Sequence, residues 1–462
     1  MALIPLLDQL TLPLVTGFIW AIATWGWPVV VVVLMPLFFP LYLVKFSVHG
    51  VPFTLVEWFM YVTFFVHILK KFYLSRKHHE DFFNLRIPRI WMPVALLVFA
   101  VLISVFAVPA DVDRREVFGI LKGWFITPIL YFYLIIHVLP GSKSVRRCLE
   151  WYTISAFLLS IWGIIQYVSH ATITPDGRVS GPFASANYLA LYIMPAIIFV
   201  ALRLWHIYFV PKEYSGAVGL FMKVFHPEEK VSYPAVIRYV LAGAIIGFAL
   251  YLTRSFGAFL GLFVGLVTYA IYHWFFSYWK MNRKTALVRV SLFAIVGVLV
   301  AGIFFTTSDP GKFKQMFNFK GQSSSSVRLE VWTVAEKLIE EHPFLGVGPG
   351  RFEDEYATRA TQILGHAPYE KQMLHPHNIF LMFWLSSGII GLMAFLWLIF
   401  MLFTIVFSID EHDGRKRIAI ICATMLLAIL VHGLVDTPIW KNDLALQFWM
   451  LAGIISRLKY RA

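Results

Sequence analysis

The chain has 462 residues, 59% hydrophobic and 14% charged, where an ordinary soluble domain is about 45–50% apolar and about 25% charged. The excess runs the whole length, which excludes a soluble globular protein and predicts a single all-α, polytopic membrane domain over 1–462. A formal charge of +13 is what basic loops on the cytoplasmic side of a membrane collect, and it calls for no nucleic acid.

A spanning helix needs roughly 20 mostly apolar residues. Runs of that kind lie near 27–46, 53–72, 91–108, 118–138, 150–168, 187–205, 237–253, 256–276, 289–306, 387–408, 416–434 and 442–458, twelve in all. The start is open: 14–48 is nearly all apolar with Trp25, Gly26 and Pro28 inside it. It reads either as one helix behind an interfacial segment or as a tight pair. Nothing basic with a small-residue cleavage site precedes it, so no cleaved signal peptide is expected. Cys148 and Cys422 lie far apart and give neither a disulfide framework nor a metal spacing.

Lysine and arginine alternate between loops. Arg76, Lys77, Arg86 and Arg89 fall in one, Lys143, Arg146 and Arg147 in the next but one, and Arg415, Lys416 and Arg417 further on. With twelve spans, the positive-inside rule puts both termini inside. Arg178, Arg254, the polar segment 306–377 and Asp436 then fall outside. That segment is too long for an idle connection. A helix is predicted there from about 327 to 341, capped by Ser325 or Ser326, with Trp332, Ala335, Leu338 and Ile339 on one face. It reads as a lid on the membrane or as a helix packed on the bundle. His342-Pro343 stops it, and Gly346 to Gly350 make a turn.

Several of the outer residues have chemistry to offer. Arg178 sits in a Gly- and Pro-rich stretch before a spanning helix, where outward backbone N–H groups and a guanidinium fork suit an anion. Asn187 either orients a ligand or caps that helix. Arg254 lies in a tight turn between apolar runs with no carboxylate near it in sequence, and Arg328 offers a third cation. His375 and His377 stand at a water–membrane boundary with Asn378 behind them. Histidine is suited to proton transfer near neutral pH. With His366 the two histidines make a ligand count, but the His-x-His spacing, with no carboxylate pair or cysteine nearby, argues against a metal. His432 and Asp436 are four apart, which predicts one helix face, and Asp436 either orients an imidazole or compensates the arginines. Together the groups fit transfer from a membrane-held phosphate ester: arginines neutralise a diphosphate leaving group while a histidine takes the acceptor's proton. The donor is already activated, so no cofactor is expected. A transporter is the alternative of another class. Its substrate site would lie near the midplane, where the apolar runs carry few charges.

The residues also resemble a family. Arg178-Val179-Ser180-Gly181-Pro182-Phe183 with Asn187, Leu252-Thr253-Arg254-Ser255, Arg328 with Trp332, His342-Pro343-Phe344-Leu345-Gly346-Val347-Gly348, His377-Asn378 with Gly388 and Gly391, and His432 with Asp436 follow the order found in the O-antigen ligase and Wzy-type polymerase superfamily. The likeness covers roughly 40–460. It implies a GT-C-like enzyme of the bacterial inner membrane that takes a glycan from undecaprenyl diphosphate at the periplasmic face. Ligases pass it to the lipid A core, polymerases to another lipid-linked glycan, and related members to protein. The resemblance makes Arg178 and Arg254, with Arg328 less surely matched, the diphosphate-binding residues and His377 the essential histidine. The ligase reading is favoured by the late long loop and the His377-Asn378 pattern.

Overall fold

The computed structural model describes residues 11–48, 51–79, 88–109, 112, 114–171, 174, 176–209, 233–278, 302, 323–410 and 413–460. Apart from 302, the predicted span 289–306 and the start of the long polar segment, 306–322, lie outside them. The protein is an all-α polytopic membrane protein. Among the described residues, six helices are long and apolar enough to cross a bilayer, the longest being Ile379–Phe407 and Ser142–Val168. The chain divides into two compact units. One comprises 1–151, 315–419 and 433–462, the other 152–314 and 420–432.

The first unit corrects the reading of the N-terminal run. A helix Thr11–Gly26 is followed by a short one, Pro28–Leu34, and a 3-10 stretch, Met35–Leu43. No single helix covers 27–46, because Pro28, Pro36 and Pro40 each remove a backbone donor. A hairpin, Lys45–Val48 with Val51–Thr54, follows; the helical reading left it as a bare connection. Thr54 then caps the helix Leu55–His78, accepting from Glu57 N while Glu57 reaches back to Thr54 N, a reciprocal box that satisfies two orphan donors. Glu57 is buried and held further by Lys122 at 3.0 Å and by Asn442 Nδ2 at 2.9 Å.

The longest helix begins at Ile379, not near 387. Asn378 is its N-cap, its Oδ1 accepting from Phe380 N and Leu381 N at 2.9 and 3.2 Å, as an amide at that position does. The helix breaks at Gly388, φ 65° and ψ −173°. The loop after His342 docks into the break: Pro343 O accepts from Ile389 N, and Leu385 O accepts from Val347 N and Gly348 N. The helix predicted from 327 runs Ser324–Glu341 and is capped by Ser323, with Ser326 its box partner. Val331, Val334, Ala335, Leu338 and Ile339 bury against Phe352, Tyr356 and Ala360 of a second helix, Phe352–Leu364, and against Leu385. It is therefore packed on the unit; its buried face accounts for its apolar stripe.

The second unit packs the Ala186–Phe209, Tyr233–Thr253 and Phe256–Tyr278 helices with the C-terminal half of Ser142–Val168 and with 420–432. Tyr192 ties two of these, its OH 2.8 Å from Ser155 Oγ and its carbonyl accepting from Tyr152 OH. Gly261 lies against the backbone of Ala428; a Cβ there would come within 2.5 Å of the Ala428 carbonyl oxygen, so glycine permits the close helix contact.

Candidate functional site

In the first unit, the chain enters the Ile379–Phe407 helix through His375-Pro376-His377-Asn378. Trp332 of the Ser324–Glu341 helix donates from Nε1 to Pro376 O at 2.9 Å, and Ile379 N donates to Gly433 O at 2.8 Å. The peptide carrying both histidines is thus fastened from two sides. His377 has φ 49°, a left-handed conformation costly for a residue with a Cβ. Its Nδ1 lies 3.5 Å from Asp436 Oδ1, with the carboxylate 3% exposed and the imidazole 23%. The carboxylate also accepts from Thr437 N at 2.9 Å. Asp436 is hidden and fixed while His377 keeps an open side. That is the arrangement of a proton acceptor oriented by a buried carboxylate.

The two imidazoles stand edge to face, ring centroids 4.4 Å apart and planes at 76°. His375 is buried, and burial, then the neighbouring His377, pull its pKa from 6.5 down to about 3 against the opposing effect of Asp436. It is a neutral ring. His375, His377 and Asp436 each offer a ligand atom within 4.8 Å of one another. The sequence argument against a metal rested on the lack of a nearby carboxylate pair or cysteine; folding brings in the single carboxylate of Asp436.

Asp436 does not share a helix face with His432. The helix Gly414–His432 ends at His432, so the four-residue spacing spans a turn. His432 is buried and falls in the second unit, Asp436 in the first. Arg328 belongs to the first unit, in the second turn of Ser324–Glu341, where its NH1 donates to Ser324 O at 3.4 Å. Glu330, two residues on and not anticipated, is buried and accepts from Tyr369 N at 2.9 Å, tying down the loop that leads to His375.

In the second unit, the segments of Arg178 and Arg254 come together: Val179 N donates to Leu252 O at 3.4 Å. Arg254 is exposed, in left-handed backbone with φ 47°, between the helix ending at Thr253 and the one beginning at Phe256. Arg178 donates from Nε to Asp176 Oδ2 at 2.5 Å and from NH1 to Asn187 Oδ1 at 3.1 Å. Asn187 therefore orients the guanidinium; it is Ser185 that accepts, through Oγ, from the Asn187 N–H at 3.2 Å. Ser185 Oγ thus meets one backbone donor at that helix start, and two of the Arg178 N–H donors are taken by Asp176 and Asn187. The pairing with Asp176 was legible in principle, as the acid lies two residues upstream in the same polar turn.

Residues 241–396 match the Wzy_C family, described as O-antigen ligase. That range takes in Arg254, Arg328, His375, His377 and Asn378 and leaves out Arg178, Asn187, His432 and Asp436. The chain is similar to an "O-antigen ligase" of Salmonella typhimurium (strain LT2), 23% identical over 304 residues, which are 64% of this chain and 66% of that protein. It is also similar to a "Putative polysaccharide ligase" of Rickettsia conorii, 26% identical over 212 residues, 46% of this chain and 47% of that protein. The chain thus spans just under two thirds of the one relative and about half of the other.

Proposed function

We propose that this chain, which belongs to the O-antigen ligase superfamily, transfers a glycan from undecaprenyl diphosphate to an acceptor hydroxyl at the outer face of the bacterial inner membrane. The observation that carries the reading is the half-open His377 imidazole 3.5 Å from the buried Asp436 carboxylate. In the reaction the acceptor oxygen bonds to the sugar's anomeric carbon as the bond from that carbon to the diphosphate oxygen breaks. His377 takes the acceptor's proton, and Asp436 stabilises the imidazolium that forms. Undecaprenyl diphosphate leaves with the bonding electrons, its charge met by Arg178 and Arg254, with Arg328 a further cation. Asn378 and His375 hold the histidine peptide, Asn187 holds Arg178, and buried His432 is read as support.

A ligase is favoured by the names of both relatives, with the lipid A core as the acceptor. The test is purified protein in lipid with undecaprenyl-diphosphate glycan and, separately, lipid A core, a second lipid-linked glycan and a protein acceptor, with mass analysis of products. Glycan on lipid A core supports the ligase; glycan on glycan makes the chain a polymerase, and glycan on protein an oligosaccharyltransferase. No transfer to any of them, with movement of the donor across vesicles, would make it a transporter.

A further inference from the structure

The Arg178 turn is fastened from below by a side chain that none of the site chemistry uses. Gln166 lies near the end of the Ser142–Val168 helix and is 5% exposed. Its Oε1 accepts from Ser180 N and from Gly181 N, each at 3.0 Å, and its Nε2 donates to Gly181 O at 3.4 Å. One amide thus satisfies two consecutive backbone donors and an acceptor of a buried turn. The N–H groups of Ser180 and Gly181 converge on that one amide oxygen, and Gly181 then carries the chain on through left-handed backbone, φ 57°. Such a pair forms a concavity that attracts an oxygen. Here a neutral side-chain oxygen of the protein fills it, which removes it as an anion site. Beside this turn, Val179 N is held by Leu252 O. Arg178 is the next residue out: its own N–H donates to Thr174 Oγ1 at 3.1 Å and its carbonyl accepts from Thr174 N at 3.0 Å, while Gln166 and Leu252 hold the residues directly after it.

We infer that Gln166 is a positioning residue for donor recognition: it fixes the turn that aims the Arg178 guanidinium at the donor's diphosphate, without touching the donor. Glutamine suits the place because it carries an acceptor and a donor at one uncharged end. An apolar residue would leave two buried N–H groups unmet. The inference rests on the reading that Arg178 binds diphosphate, and the experiment separates the two.

Wild type, Arg178→Ala, Gln166→Met, Gln166→Glu and the Arg178→Ala/Gln166→Met double variant are compared as full chains in lipid. Affinity for undecaprenyl diphosphate, and donor KM and kcat in glycan transfer, are read beside thermal unfolding. Gln166→Met, close in volume, is expected to weaken diphosphate binding and raise donor KM about tenfold through misplacement of the turn, with kcat within about twofold of wild type. Gln166→Glu still accepts from both N–H groups and is expected to recover most of the affinity. In the double variant, Gln166→Met should add nothing to Arg178→Ala. If Gln166→Met does not fold, Gln166→Asn, an amide too short to reach the turn, carries the same expectation. Unchanged diphosphate affinity in Gln166→Met, beside weakened affinity in Arg178→Ala, overturns the role of Gln166. So does a defect in kcat and unfolding alone, or one that adds fully to Arg178→Ala. Unchanged affinity in Arg178→Ala overturns the diphosphate reading itself.

Discussion

His375 and His377 are two residues apart and chemically unlike because their surroundings differ. His375 is buried and held neutral, its pKa near 3; His377 faces partly outward beside Asp436. A depressed histidine pKa has a consequence for stability. Between 6.5 and about 3 the unfolded chain binds the proton that the folded chain refuses, so stability falls as pH drops through that window. His375→Gln should flatten the acid limb of a thermal unfolding series between pH 6.5 and 4; an unchanged slope would place the acid sensitivity elsewhere. For turnover, Asp436→Asn is expected to lower kcat about a hundredfold with little change in acceptor KM, and His377→Ala to abolish transfer with the protein still folded. The three donor atoms within 4.8 Å add a further expectation: Zn²⁺ inhibits, because it would draw the Asp436 carboxylate and the His377 ring onto itself and end the pairing that orients the base, and His375→Gln blunts that inhibition. The histidines and Asn378 were legible from sequence, since a polar residue just before a long apolar run reads as a cap. A role for Asp436 in orienting an imidazole was legible too, but which imidazole was not. Helical spacing pointed to His432, and the helix ends there.

The Gly346 to Gly350 cluster shows how a motif's purpose hides in its partner. Read alone it is a turn, with a loose likeness to a phosphate loop. In the fold it is the counterpart of the break at Gly388: the loop's N–H groups meet the Leu385 carbonyl, and Pro343 O meets Ile389 N and, at 2.9 Å, Trp384 Nε1. The backbone groups freed by the kink are thereby paired. A Cβ at Gly388 would sit 1.8 Å from Phe344 O, and one at Gly346 would sit 2.1 Å from Leu385 O. Both obstacles are backbone and cannot step aside. Gly388→Ala and Gly346→Ala are each expected to cost about 3 kcal/mol or more, seen as a lower unfolding temperature and a loss of transfer. Gly365→Ala is the control: φ is 74° there, yet nothing lies within 4 Å, so it pays backbone strain of about 1–2 kcal/mol alone. The Ser324–Glu341 helix was foreseen nearly to its ends, because its apolar stripe has the helical period. Its neighbour Phe352–Leu364 was missed, since acidic residues dominate its first turn and its inward face, Phe352, Tyr356 and Ala360 with the partly buried Ile363 and Leu364, is broken by polar residues.

For the whole molecule, the alternation of lysine and arginine between loops was the most informative signal, and within the first unit those residues have a second task. Lys416 is buried and donates to the Val406, Phe407 and Ile409 carbonyls at 3.0, 3.3 and 2.9 Å. Lys459 donates to Ser408 O, Arg415 to Leu458 O and Arg457 to Leu139 O. Each cation meets carbonyls at or just beyond the C-terminal end of a helix, where partial negative charge collects. The Ile379–Phe407 helix therefore has His377 and Asn378 at its start and a cluster of cations at its finish. The part after the break at Gly388, 389–407, makes about 28 Å of helix at about 1.5 Å per residue, close to the roughly 30 Å of hydrocarbon, and the whole element is long and apolar enough to cross a bilayer. By the positive-inside rule, the proposed reaction expects the cation end in the cytoplasm and His377 outside. Single cysteines test this directly, in a chain whose buried Cys148 and Cys422 are replaced by alanine. Lys337→Cys, on the exposed face of the helix bound to the histidine peptide, should react in intact spheroplasts with a maleimide that cannot cross membranes. Arg417→Cys should react only after permeabilisation. The opposite pattern would place His377 on the cytoplasmic side, away from any externally presented glycan, and the proposed reaction would fail with it.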